Sequence, residues 1–84
     1  MITALDLAAL RAGDRLTIGT GLVENTVIVD VPGEQPVVTM TAHPVSGPDR
    51  GAMRLEALVS GKVLVTYLGE GMHQPFEADA TIVK

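Results

Sequence analysis

The residues able to do chemistry are few and scattered. Two histidines, His43 and His73, fall in irregular stretches, and Glu70 and Glu77 are near the second in sequence. Zinc takes three or four ligands at recognisable spacing, and neither an HxH nor an HxxxH element occurs, so both imidazoles read as loop residues. Ser46 and Ser60 lie in turns without the strand-to-helix context of a nucleophile elbow, and two histidines give no ordered Ser-His-Asp set. Asp30, Glu56, Glu77 and Asp79 fit the wet face of an acidic sheet better than a glycosidase pair. No catalytic residue, cofactor or metal ligand is assigned, and an enzyme is not expected.

Three further patterns bear on anionic ligands. Gly19-Thr20-Gly21 opens like a dinucleotide fingerprint but lacks the third glycine and the following helix, so it reads as a turn. Gly69-Glu70-Gly71 places an acid where a phosphate would lie. Arg50 and Arg54 have the spacing Arg-x-x-x-Arg, and two guanidiniums four apart clamp phosphates when both face one cleft. The segment enters a strand, where residues four apart share a face two strand steps from each other. The plainer reading is two solvated arginines beside a turn.

Composition narrows the field. With no cysteine among 84 residues, disulfides, thiolate metal sites and cysteine nucleophiles are excluded. Ten acidic against six basic residues give a net charge of −4, and the basic residues are dispersed, so nucleic acid is not an expected partner. Tyr67 and Phe76 are the only aromatics, which argues against base-stacking surfaces and aromatic cages. No apolar run reaches the length of a membrane span and no basic-then-apolar leader opens the chain; a cytoplasmic location and no membrane partner are expected. The length suits a single domain, residues 1–84, with a thin stability margin.

The elements that position these residues read as mostly β. Thr3 caps a helix from about Ala4 to Arg11, Asp6 occupies its third position, and Ile2 staples onto Leu7; Gly13 supplies a left-handed stop. Leu5, Leu7 and Leu10 must dock for so short a helix to persist. From Asp14 the period becomes two, with strands near Arg15–Gly19, Thr26–Val31, Val37–Ala42, Met53–Leu58, Lys62–Leu68 and Phe76–Val83. The last is the clearest: Phe76, Ala78, Ala80 and Ile82 alternate with Glu77, Asp79 and Thr81. Pro32-Gly33 with Pro36 and Ser60-Gly61 read as turns, and the stretches 43–51 and 69–75 as irregular loops. The expected fold is a six-stranded antiparallel small barrel, split-barrel or SH3-like, with one short N-terminal helix. An open sandwich is the other arrangement.

The second and fifth strands are apolar on both faces. Ile28 stands opposite Val27 and Val29, and Leu64 opposite Val63 and Val65, so one face of each is left for the helix, a second copy or a partner. The candidate binding residues are therefore Ile28 and Leu64 on the outer faces, with His43, Arg50, Arg54 and His73 in or beside the loops.

Leu10-Arg11-Ala12-Gly13-Asp14-Arg15-Leu16-Thr17-Ile18, the valine-rich second strand, Val37 to Pro44, Ser60 to Tyr67 and Pro75-Phe76-Glu77-Ala78 together resemble the N-terminal flagellar-brake domain that precedes PilZ domains in bacterial cyclic-di-GMP effectors. The resemblance spans nearly the whole chain and implies a split β-barrel acting as a regulatory or adaptor module beside a neighbouring domain or protein target. In that family a PilZ domain holds the nucleotide through Arg-x-x-x-Arg and a later Asp/Asn-x-Ser-x-x-Gly. Here Arg50 and Arg54 lie inside the barrel region and the second motif is missing, so no nucleotide-binding residue transfers and cyclic-di-GMP is not an expected ligand. The alternative functions are a small structural subunit of a symmetric assembly, such as a phage or mobile-element particle protein, and an acidic inhibitor or decoy.

Overall fold

The computed structural model describes residues 2–21, 24–31, 39–45, 51–69 and 74–83. In chain order these form α1 (Ala4–Ala8), β1 (Arg15–Gly19), β2 (Glu24–Val31), β3 (Thr39–Pro44), β4 (Met53–Ala57), β5 (Val63–Tyr67) and β6 (Phe76–Val83). Each strand pairs antiparallel with the next, and β6 returns to β1, so the sheet closes into a six-stranded barrel. The expected Pro32-Gly33-Pro36 turn and the first two residues of the expected third strand lie outside the described residues.

Alternation sorts the side chains. Leu16, Val27, Val29, Met40, Leu55, Val63 and Val65 are at most 1% exposed, whereas Arg15, Glu24, Asp30, Arg54, Glu77 and Asp79 on the intervening positions are exposed. Each fully buried side chain of this size contributes about 1.5–3 kcal/mol. A six-stranded barrel is too narrow for large residues at every inward position, and small ones relieve the crowding. Ala78 lies opposite Val63, Ala80 opposite Ile18, and Ala42 between Val29 and Met53.

One seam is looser in its pairing. β6 pairs with β5 through Phe76, Glu77 and Ala78, then with β1 through Asp79 to Val83, so no residue of this strand pairs on both sides. By contrast every residue of β1 pairs with both β2 and β6.

The helix begins with a capping box: the Asp6 N–H donates to Thr3 Oγ1 at 3.1 Å and the Thr3 N–H to Asp6 Oδ2 at 2.9 Å. It ends at Ala8, earlier than the expected Arg11, because the Arg11 N–H donates to the Asp14 carboxylate at 2.8 Å and the Asp14 N–H to the Arg11 carbonyl at 3.0 Å. The side chain of Asp14 thus offers the backbone a turn in place of another helical step. Gly13 takes φ 96° in that turn and donates to the Val29 carbonyl at 2.9 Å, which ties the connection to β2.

Antiparallel order places α1, the β4–β5 hairpin and the last residues of β2 and β6 at one mouth of the barrel. There Ile2, Leu7 and Leu10 join the buried cluster. The other mouth holds the β1–β2, β3–β4 and β5–β6 connections, and the half-buried rings of Tyr67 and Phe76 meet there, centroids 5.9 Å apart and tilted by 39°.

Candidate functional site

The outer faces of β2 and β5 do not form one surface. Ile28 stands between Arg15 and His43, and Leu64 between Glu56 and Glu77, each half-buried by polar neighbours. In a ring of six strands β2 and β5 are three apart in either direction, so the two residues face opposite ways. Isolated apolar side chains among polar ones are ordinary surface.

His43 is not a loop residue. β3 runs two residues past its expected end, through His43 to Pro44, and His43 lies across from Ile28 on the outer face. Proline is tolerated at this strand end because the ladder continues from the next donor, the Val45 N–H, to the Thr26 carbonyl at 2.9 Å. His43 Nδ1 lies 2.6 Å from Asp30 Oδ1, with both side chains partly exposed. The hydrogen bond restrains the ring. An exposed pair of this kind contributes about 0–1 kcal/mol.

Arg54 projects from β4 between Thr41 and Thr66 and is exposed. Arg50, His73, Ser46 and Glu70 lie outside the described residues, so the Arg-x-x-x-Arg clamp is represented by Arg54 alone. Among the described residues no group of three or more His, Asp or Glu side chains converges as metal ligands, and no helix is long and apolar enough to cross a membrane. A small polar notch of about 100 Å³ does occur where Gly19 separates Glu24 from Asp79, with Thr17 and Thr81 below it.

One apolar recess was not anticipated from sequence. Between the start of α1 and the β4–β5 hairpin runs a groove of about 250 Å³, walled by Ile2, Thr3, Ala4, Ala57, Leu58, Val59 and Gly61. Local hydrogen bonds shape both walls. The Ile2 N–H donates to the Gly61 carbonyl at 2.9 Å, which moors the N-terminal segment to the hairpin. The Leu58 N–H donates to the Lys62 carbonyl at 2.8 Å and the Gly61 N–H to the Leu58 carbonyl at 3.0 Å. Gly61 has φ 90°, a conformation costly for a residue with a Cβ.

That turn lifts Val59 to the hairpin tip, where it is fully exposed. On α1, Leu5 is 73% exposed. Leu5 was expected to dock with Leu7 and Leu10, but residues two apart on a helix are about 200° apart, and Leu7 and Leu10 take the inward side. Helical spacing was thus the available signal for Leu5. At the far mouth Val45 and Leu68 are about half exposed.

No protein-family model, curated protein or solved structure matches this chain.

Proposed function

We propose that this chain is a non-catalytic regulatory or adaptor module that acts by binding, meeting a protein partner or an adjacent domain through the helix end of its barrel. The observation that carries this reading is the apolar groove between α1 and the β4–β5 hairpin, with fully exposed Val59 on its wall and Leu5 exposed on the same helix. Apolar side chains grouped around a recess are a feature of association surfaces, whereas isolated ones are not. Leu7 fills one mouth of the barrel and Tyr67 and Phe76 the other, so binding falls to the outside. The resemblance to flagellar-brake domains points the same way, toward a module that works against a neighbour.

Capture from an extract of the source cells tests the reading. Immobilised wild-type chain is expected to retain a protein that free chain competes away, Val59→Asp to lose it and Arg54→Ala to keep it. Calorimetry with cyclic-di-GMP is expected to give no heat. Heat that disappears in Arg54→Ala would replace this reading with a nucleotide-binding one.

The second reading, a small structural subunit of a symmetric assembly, is favoured by Val45 and Leu68 at the opposite mouth, because apolar residues at both poles suit stacking of copies. Light scattering distinguishes it: a stacking subunit gives a mass that keeps growing with concentration, beyond any closed pair.

A further inference from the structure

We infer that residues 80–83, the last part of β6, are a strand-addition site for an extended segment of a protein partner that carries a basic residue. The inference rests on the binding reading above and names the kind of segment the partner presents.

The loose seam supplies the edge. Val63 with Ala78 is the last pair between β5 and β6, and beyond it β6 runs on to Val83 with β1 at one side. The hairpin turns away at that point: the Leu58 N–H donates to the Lys62 carbonyl, and the Gly61 carbonyl accepts from the Ile2 N–H. Successive residues of a strand direct their N–H and C=O groups to opposite sides, so alternate residues of 80–83 present theirs away from β1. Among the described residues no backbone hydrogen bond reaches them there.

Composition leaves this edge ready for pairing. Exposed edges are ordinarily blunted by lysine, proline or a bulge. Ala80, Thr81, Ile82 and Val83 supply none of these, and the last three are β-branched strand formers. Thr81 and Val83 are exposed, so the outer side of the edge meets solvent. A row of unpaired backbone groups is complementary to another extended backbone, which selects a peptide strand as the occupant. Charge then selects its sequence. Glu77 and Asp79 stand exposed at the start of the edge, with Glu24 across Gly19 from Asp79, and the Lys62 ammonium, 3.9 Å from Asp79, offsets only one of the three. A basic side chain facing Asp79 meets that excess.

The probe is the peptide Thr-Val-Thr-Val-Lys, blocked at both ends, which in antiparallel register sets its lysine against Asp79. Added to the isotope-labelled chain, it is expected to give saturable amide shifts centred on residues 79–83, and replacement of its lysine by glutamate to weaken binding. Methylating its backbone nitrogens at the odd positions in one peptide and at the even positions in another separates strand addition from other contacts, because only one set faces β6. One methylated peptide is expected to bind at least about tenfold more weakly, for the loss of its inter-strand hydrogen bonds, and the other as the parent does. No saturable shift at millimolar peptide, shifts centred elsewhere, or two methylated peptides that bind alike would each overturn the inference. Such a result alongside a captured protein that is still lost in Val59→Asp removes strand addition alone and leaves the binding reading standing.

Discussion

The two mouths of the barrel are closed by different means. At one, a separate element does it: α1 lends Leu7 to the interior, with Ile2 and Leu10 from the flanking segments. At the other, Tyr67 and Phe76 belong to the strands themselves. A plug drawn from outside the sheet has a back as well as a front. Its front buries Leu7, its back leaves Leu5 in solvent, and its junction with the hairpin is the apolar groove. The apolar recess therefore lies where closure is borrowed.

Truncating the plug should do the most harm. Leu7 is fully buried, so Leu7→Ala is expected to cost about 3 kcal/mol in urea unfolding, a large share of the roughly 4–12 kcal/mol available to a domain of this size. Phe76 at the opposite mouth is only half-buried, and Phe76→Ala is expected to cost about 2 kcal/mol, below the range for a fully buried ring. If Phe76→Ala proves the more damaging, the helix is an accessory and the contrast between the mouths reverses.

Smaller effects sharpen the same contrast. Thr3→Ala removes the cap that organises a five-residue helix and is expected to cost about 1 kcal/mol, with the helical ellipticity falling before the barrel unfolds. His43→Ala breaks the exposed pair with Asp30 on the barrel wall, away from both mouths, and should shift unfolding by no more than about 0.5 kcal/mol. Val59→Asp is expected to leave unfolding unchanged within about 0.5 kcal/mol while abolishing capture of the partner, the mark of a residue that serves binding rather than folding.

Much of the fold could be read from alternation, because a strand with one wet face writes its register into the sequence. β1 and β6 have their expected limits, and the inward set of β6 is the expected Phe76, Ala78, Ala80 and Ile82. Errors arose where a local interaction competes with the period. Asp14 ends the helix early by capturing the Arg11 N–H, and Pro44 reads as a breaker although the ladder proceeds from Val45. The surface was less legible. Ile28 and Leu64 do point outward, but their placement on opposite sides depends on ring closure, which no local pattern encodes. Val59 was hidden for the opposite reason, since the Ser60-Gly61 turn was foreseen but not that it lifts the preceding valine clear of the barrel.

Amide hydrogen exchange of the chain alone and with its captured protein partner tests most directly whether the borrowed closure is the binding face. Added protection on binding is expected in residues 2–8 and 57–62, with none at Val45 or Leu68. Protection gained instead around Val45 and Leu68, or an exchange pattern that the partner leaves unchanged, would contradict this.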